Sequence, residues 1–264
     1  MHNILSDMMT KRFPHWLTLA AALLCLNACV GQKDDEEDID DNGNGPATTE
    51  EGAPGLVLDF TATWCVNCPR MHTAIEEAAQ ERPGTVFPVS IHFHDALSID
   101  EGEALVSRFK IQSYPSLIVN LDASSLMTAT AKDLLLARLD ATAKGRKAAC
   151  GIALTQGEGG ALEVAVTAKE AGTYRLAVLL LEDGIVAPQT GGTADYVHDN
   201  VLRAVLSESV DGDNLGLLEA GQSIQRSFDA KAAIPASGKY HFLAYVIDAD
   251  KDQINTVTSS STGQ

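Results

Sequence analysis

Apolar and polar positions follow two different patterns along the chain, and the change lies near Lys147. Before this point, short apolar runs alternate with segments in which apolar residues recur every three or four positions. Strands that alternate with helices in an α/β fold produce this pattern. After it, short alternating runs are separated by Gly, Asp and Asn, which is typical of antiparallel strands joined by turns. The pattern therefore predicts two folded domains of different class, residues 55–147 and residues 148–264.

The first of these domains is predicted to contain three strands and three helices. Pro69 suits the first turn of a helix that ends before the Pro-Gly pair at residues 83–84, and the capping-box spacing of Asp100 and Glu103 predicts the start of a second helix. Residues 133–143 suit a closing helix. Apolar runs indicate strands at residues 56–61, at residues 85–93, where Pro88 favours a bulge, and directly after Pro115.

The second domain is predicted to be an all-β, immunoglobulin-like antiparallel sandwich. A long loop over residues 182–200 contains Tyr196, His198 and Asn200 as candidate partner-binding residues, although local capping or turn formation accounts for such polar residues equally well. Seven short strands support the sandwich, at residues 151–155, 162–168, 174–181, 201–207, 224–230, 241–247 and 254–259.

The N-terminal residues have the features of an export signal. Lys11 and Arg12 precede an apolar stretch that is too short to span a bilayer, so residues 1–28 are predicted to be a signal peptide. The segment ending at Cys29 resembles a bacterial lipobox, which implies lipidation of Cys29, and a plain signal peptide with an incidental cysteine is the alternative. Residues 29–54 are acidic and nearly free of apolar side chains, which predicts a solvated tether. The formal net charge of −17 argues against nucleic acid as a partner.

Two cysteines separated by two residues, Cys65 and Cys68, carry the candidate chemistry. Because they directly precede the predicted first helix, unpaired N–H groups and the helix dipole should stabilise a thiolate, and such settings lower a cysteine pKa from about 8.5 to roughly 3.5–7.5. We expect Cys65 to be the nucleophile at an exposed helical tip, and Cys68 to point towards the core and resolve mixed disulfides. This hypothesis requires an accessible sulfur on Cys65, and a sulfur sealed from solvent would argue against it.

Residues 58–69 and 113–119 resemble the thioredoxin active site. The segment LDFTATWCVNCP, which includes Trp64, looks like the cysteine motif, and SYPSLIV looks like the cis-proline strand. The resemblance, over residues 55–147, implies that Pro115 packs opposite the cysteines and that the backbone of Tyr114 pairs with a bound substrate chain. It also implies that Asp59 is a buried acid that moves the proton of Cys68. The Val-Asn dipeptide between the cysteines differs from that of thioredoxin and of disulfide isomerases, so the direction of electron flow stays open.

The whole chain also resembles the 28-kilodalton outer-membrane lipoproteins of Bacteroidetes. The residue-level link is the segment DYVHDNVLRA at residues 195–204. This resemblance implies a lipoprotein of the outer membrane, on its periplasmic or its cell-surface face. The acidic residues after Cys29 are similar to a surface-export signal, and a simple spacer is the alternative.

The cysteine pair could instead serve one of two different roles. The first is a metal site, in which His72, His92 and His94 could join the cysteines, although copper chaperones of this fold usually space their cysteines by three residues. The second is a permanent structural disulfide on a binding protein, although so short a loop stabilises little. Cys150 is expected to be a buried thiol.

The combined prediction is an exported, lipid-anchored thiol-disulfide oxidoreductase that needs no cofactor and no metal. Its predicted partners are protein thiols or disulfides and, through Cys29, the membrane. The alternative from a different class is a surface-exposed binding or structural lipoprotein that uses the thioredoxin fold as a scaffold.

Overall fold

The computed structural model describes residues 55–260, and the predicted signal peptide, Cys29 and the acidic tether lie outside the described residues. No helix among the described residues is both long enough and apolar enough to cross a bilayer.

The first half of the described chain has a thioredoxin-like α/β arrangement. Its elements are β1 (Gly55–Thr61), α1 (Cys68–Glu81), β2 (Val86–His92), α2 (Asp100–Phe109), β3 (Ser116–Val119) and α3 (Lys132–Ala143). Strand β1 pairs in parallel with β2 and antiparallel with β3. Helices α1 and α3 pack on one face of this sheet around Met71 and Leu135, and α2 packs on the other face around Phe109.

Two local predictions for this half differ from the structure. Strand β2 runs through Pro88 without a bulge, since its register with β1 is continuous. Backbone nitrogens two residues apart point to the same edge of a strand, so those of Pro88 and Ser90 both face the strand that starts at Val201. The pairing with that strand involves Ser90 and not Pro88, so the missing N–H of Pro88 removes no hydrogen bond between strands. Asp100 is the first residue of α2 rather than its N-cap, which is Ile99, and it makes no capping side-chain bond.

The second half is composed of ten strands and contains all seven that the sequence predicts. The three additional strands, β7, β8 and β10, are short or follow irregular sequence. The strands are β4 (Cys150–Gln156), β5 (Ala161–Ala168), β6 (Gly172–Glu182), β7 (Ile185–Ala187), β8 (Tyr196–His198), β9 (Val201–Val205), β10 (Asp213–Leu218), β11 (Ser223–Asp229), β12 (Tyr240–Asp248) and β13 (Gln253–Ser259).

Strands from both halves form one central sheet. Its order is β13-β12-β6-β9-β2-β1-β3, with β10 also paired to β6. The junction is a parallel pairing of Ser90 with Val201, in which the Ser90 N–H donates to the Asn200 carbonyl at 2.8 Å. Strand β6 continues the sheet on the other side of β9, through pairs such as Leu181 with Leu202.

The two faces of β6 and β12 pack against different partners. Side chains alternate across a strand, so Val178 and Phe242 face one side while Leu179 and Tyr245 face the other. The first side packs on the three-stranded sheet β11-β5-β4 and makes the core of the β-sandwich. The second side packs with α2 and β2 in the core of the thioredoxin-like half. The central sheet is therefore covered on both faces and joins the two halves through shared apolar contacts.

This shared core predicts that both halves unfold together. Leu179 is buried in the core that contains α2, so Leu179→Ala should lower the free energy of unfolding by about 2–5 kcal/mol. In urea, the fluorescence of Trp64, in the first half, and the far-ultraviolet circular dichroism of the whole chain should shift to the same lower midpoint. Leu217→Ala, at a side chain 64% exposed on β10, is the matched control and should change stability by less than about 0.5 kcal/mol. Separate transitions, with the Trp64 signal unmoved by Leu179→Ala, would contradict a common core.

Candidate thiol-disulfide site

The cysteine pair forms a disulfide at the start of α1. The Sγ atoms of Cys65 and Cys68 are 2.01 Å apart and their Cα atoms 5.5 Å apart. Cys68 is the first residue of α1 and points inward, where it is buried, and Pro69 follows in the first turn. Cys65 lies three residues earlier, in the loop that connects β1 to the helix. The spacing therefore brings the two sulfurs together across one turn of chain.

The prediction that Cys65 lies at an exposed helical tip is wrong. Cys65 is only 3% exposed, because its loop turns inward and its N–H donates to the Ala62 carbonyl at 3.1 Å. Ala62, the two cysteines and the side chain of Tyr114 form a small apolar cluster. The large apolar side chains that the motif presents to solvent are Trp64, which is 47% exposed, and Val66, which is 59% exposed. In the disulfide form, a substrate therefore reaches the sulfur of Cys65 only after a neighbouring group has moved.

An aromatic group borders the pair beside the cis peptide bond between Tyr114 and Pro115. The Tyr114 ring stacks on Phe93 with centroids 5.4 Å apart and meets Trp64 edge-on at 5.3 Å. The indole N–H of Trp64 donates to the Phe93 carbonyl at 3.1 Å. These contacts hold Trp64 and Tyr114 in a continuous surface next to Cys65.

A segment of the second half covers the cysteine loop from another direction. We call residues 189–199 the cap segment; they comprise most of the connection from β7 to β8, strand β8 itself and Asp199. The Gln189 side-chain amide donates to the carbonyl of Cys65 at 2.8 Å and to that of Ala62 at 3.1 Å. The Thr190 N–H donates to the Thr63 carbonyl at 2.8 Å.

Gly191 allows the cap segment to approach this closely. Its φ of +81° lies in the left-handed region, and a Cβ atom built there would lie 2.1 Å from the Val66 carbonyl oxygen. Any other residue at position 191 would push the segment away from the motif.

Asp59 lies on β1 beneath the pair. It is 2% exposed, and burial raises the pKa of its carboxyl to about 7. Its Oδ1 atom accepts no hydrogen bond from any residue between 55 and 260. Asp59 therefore changes its charge near neutral pH inside the fold.

His92 and Asp95 anchor the cysteine loop. The ring Nδ1 of His92 and the carboxylate of Asp95 share a hydrogen bond of 2.8 Å, and Asp95 also accepts the Thr63 N–H at 2.7 Å. Burial acts to raise the pKa of Asp95, but the hydrogen bond and charge of His92 and two backbone N–H groups outweigh it and lower that pKa to about 2. An ionised carboxylate thus fixes the residue that precedes Trp64.

The cap segment brings two of the three candidate loop residues to the cysteines. The Oη of Tyr196 and the Nδ1 of His72 share a hydrogen bond of 2.6 Å, so His72 is not merely solvated. His198 is 5% exposed, and its ring lies 5.2 Å from that of His92 and 4.9 Å from that of Tyr196. Burial, and next the charge of His92, lower the pKa of His198 to about 4.

Asn200, the third candidate, has a structural role. Its φ is +56°, its N–H donates to Asp183 at 2.8 Å and its carbonyl accepts the Ser90 N–H. It therefore turns the chain from the cap segment into β9 and onto the central sheet.

Of the three histidines named as metal candidates, His72 and His92 line one cavity beside Cys68, whereas His94 lies apart from them. His94 has a φ of +51° and an exposed side chain that stacks on Phe93. Between residues 55 and 260 no three His, Cys, Asp or Glu side chains are grouped as metal ligands. Cys150 is buried as a free thiol whose pKa burial raises to about 11.

Two family models match the chain over overlapping ranges. The family model described as thioredoxin matches residues 48–141, which include the cysteine pair. Thioredoxin-1 of Drosophila melanogaster is 30% identical over 63 residues, which are 24% of this chain and about half (53%) of that relative. The model described as outer membrane protein Omp28 matches residues 102–264, which is more than half of the chain.

The chain belongs to the Omp28 family of outer membrane proteins. Among solved structures it is similar to HBP35 of Porphyromonas gingivalis, with a TM-score of 0.63, 21% identity, and 80% of this chain and 76% of that chain covered. A structural genomics target from Agrobacterium tumefaciens gives a TM-score of 0.54 with 17% identity, over 79% and 94% of the two chains. These two likenesses confirm the predicted fold, and membership of the Omp28 family supports the predicted outer-membrane location.

Two site residues, Gln189 in the β-rich half and Asp95 in the thioredoxin-like half, were not revealed by the sequence. Gln189 clamps the cysteine loop, and neither its position nor the role of Asp95 follows from any local pattern. The consecutive glycines at 191 and 192 were the available signal, since they permit a close backbone approach.

The buried carboxyl predicts a stability difference that depends on pH. The unfolded pKa of Asp59 lies near 3.8 and the folded value near 7, so the folded state retains a proton that the unfolded state loses as pH rises between them. The contribution of Asp59 to the free energy of unfolding of the wild-type protein therefore falls as the pH rises from about 4 to about 7. Asp59→Asn should be more stable than wild type by about 3–4 kcal/mol at about pH 8, and the gain should largely vanish near pH 4. Urea unfolding at both pH values measures it, and an equal gain at both would contradict a buried, ionising Asp59.

Proposed function

We propose that this Omp28-family protein is a thiol-disulfide oxidoreductase that acts through Cys65 and Cys68. The observation that carries the proposal is the position of the pair, at the start of α1, next to the cis bond before Pro115 and above the buried Asp59. A helix N-terminus favours a thiolate, and a group that titrates near neutral pH can exchange protons with a thiol. The thioredoxin-like fold of residues 55–147 supports the same chemistry.

Each residue has one role in the proposed exchange. The Cys65 thiolate attacks a substrate disulfide, so that one substrate sulfur leaves as a thiolate and a mixed disulfide forms. Cys68 then attacks the Cys65 sulfur, which closes the intramolecular disulfide and releases the second substrate sulfur. The pair loses two electrons and the substrate gains them, and the same steps in reverse oxidise a substrate dithiol. Asp59 accepts the proton of Cys68.

The substrate chain is proposed to bind at the aromatic surface beside Cys65. The backbone of Tyr114, ahead of Pro115, pairs with the extended substrate, and Trp64 packs on it. The burial of Cys65 assigns a further task to these side chains, because Tyr114 packs against the cysteine pair in the disulfide form. Displacement of Tyr114 or of the cysteine loop must precede attack.

A second candidate function rests on that burial. A disulfide with both cysteines covered, and clamped by Gln189 and Thr190, also suits a surface-exposed binding or structural lipoprotein that keeps the thioredoxin fold as a scaffold. In that case the disulfide stiffens the loop and exchanges with nothing.

Trapping separates the two functions. Cys68→Ala removes the resolving thiol, so exchange should stop at mixed disulfides on Cys65 that a reductant releases. Non-reducing electrophoresis of envelope fractions, followed by mass spectrometry of the adducts, measures them. Cys65→Ala is the matched control and should trap far fewer adducts, since Cys68 is fixed in the first turn of α1 and points inward, whereas Cys65 lies in the loop that the proposed displacement exposes. A scaffold would give no adducts with either variant.

The anchor is proposed to be a lipid on Cys29, which exposes the folded part on the periplasmic or the cell-surface face. Cys29→Ala should abolish incorporation of a labelled fatty acid and release the protein from the membrane fraction. Unchanged membrane association without any label would favour a different mode of attachment. Protease treatment of intact cells decides between the two faces.

A further inference from the structure

A small polar cavity lies between the cysteine pair and the cap segment. The centre of a water molecule can occupy about 10 Å³ of its interior, so the cavity has room for about one water molecule. It is lined by residues from β1, α1, β2 and the cap segment, among them Asp59, Cys68, His92, Tyr196 and His198. The cavity therefore lies between the residues beneath the cysteine pair and the β-rich half.

Two buried polar atoms border this cavity without a partner among residues 55–260. They are the Oδ1 of Asp59 and the Nε2 of His198, on side chains that are more than nine-tenths buried. Leaving such an atom unpaired costs about 1–3 kcal/mol, and native proteins usually avoid this with an ordered water molecule. Both residues line the same cavity, and so does Cys68, so a single water molecule held there is the natural partner for both atoms.

The protonation of His198 suits this arrangement. Its lowered pKa, about 4, keeps the ring neutral near pH 7, and the Ala187 carbonyl favours the proton on the other ring nitrogen. The Nε2 is then a hydrogen-bond acceptor that faces the cavity.

We propose that His198 is a positioning residue for the exchange, and that its Nε2 holds a water molecule between Asp59 and Cys68 through which the resolving cysteine is deprotonated. The role in exchange rests on the proposed function, whereas the water bridge does not. The water accepts the Cys68 S–H and donates its own hydrogens to His198 and to the Asp59 carboxylate. The β-rich half thereby completes the proton path of the thioredoxin-like half.

The resolving step balances as follows. The proton of Cys68 passes to the water while a water proton passes to the Asp59 carboxylate, which becomes neutral. The Cys68 thiolate forms a bond to the Cys65 sulfur, and the bond between Cys65 and the substrate sulfur breaks. The electron pair leaves with the substrate sulfur as a thiolate, and the substrate disulfide is the oxidant. His198 neither gains nor loses a proton.

The pH dependence of this step involves every charged or titratable group that faces the cavity. Those that line it are Asp59, Cys68 and His72 on β1 and α1, His92 on β2, and Tyr196, His198 and Asp199 on the cap segment. From beside the cavity, the charge of Glu76 acts on Tyr196 and that of Asp95 acts on His198.

The test compares three variants in the full chain. His198→Phe keeps a ring and removes the acceptor nitrogen, His198→Gln restores an acceptor, and Val197→Ala changes an exposed neighbour on the same strand as a control. If His198→Phe does not fold, His198→Leu replaces it. The first readout is the pH titration of the Asp59 carboxyl carbon by NMR in the disulfide form, which needs no exchange activity. Loss of the water should raise the pKa of Asp59 by about one unit in the Phe variant and by less than about 0.3 in the other two.

The second readout is the rate at which Cys68 releases glutathione from a preformed mixed disulfide on Cys65. At about pH 7 the Phe variant should be slower by roughly tenfold, with the rate restored by Gln and unchanged by Val197→Ala. Above about pH 9, where hydroxide deprotonates Cys68 directly, the difference should shrink.

Each outcome decides a separate claim. An Asp59 titration that His198→Phe leaves unmoved overturns the water bridge and the proposal with it. A shifted titration with an unchanged release rate overturns the role of His198 in exchange. If His198→Phe shifts the Asp59 titration but the wild-type protein forms no mixed disulfide with any probe, the proposed function is overturned instead. The water molecule then has a structural role only.

Discussion

The apolar packing of β6 and β12 against the thioredoxin-like half is the interaction on which the rest of the structure depends. Leu179, Leu181 and Tyr245 share one core with α2 and β2, so β9 is held beside β2 in a single sheet. The chain between β6 and β9 must then cross the end of β2, where the cysteine loop lies. Gln189 and His198 reach the cysteines for this reason, and a hinged pair of domains would not hold them there.

Burial has two opposite consequences at this site. It raises the pKa of Asp59 to about 7 and lowers that of His198 to about 4, so that His198 is neutral near pH 7. In water, both groups would keep their ordinary pKa values. Burial also leaves Cys65 packed beside Tyr114, with its loop hydrogen-bonded to the cap segment. Under the proposed function, the disulfide form is organised for proton transfer and closed to a substrate. A functional oxidoreductase of this design must open locally, whereas a scaffold need not.

Much of the fold could be predicted from local patterns. The strand and helix around the cysteines, the strand after Pro115 and all seven long strands of the second half follow from alternation, from 3.6-residue periodicity and from turn residues. Strands β7 and β8 did not, because three residues carry no period and their pairing is with each other, and β10 did not, because its pairing with β6 is interrupted between Asn214 and Gly216. The clamp by Gln189 joins residues 124 positions apart in sequence, and the packing of Tyr114 against the cysteines is also a non-local contact. No local pattern encodes such a contact, so the predicted chemistry of the motif omitted half of its surroundings.

The most direct test of the central claim is reduction of the Cys65–Cys68 disulfide under native conditions. In glutathione buffers of graded potential, an oxidoreductase should equilibrate in the folded state, with a midpoint between about −270 and −120 mV and a rate unrelated to global unfolding. Trp64, which borders the pair, provides a fluorescence signal for the change. A disulfide that is reduced only at the rate at which the whole chain unfolds would contradict the account and would identify the pair as a structural element of a scaffold.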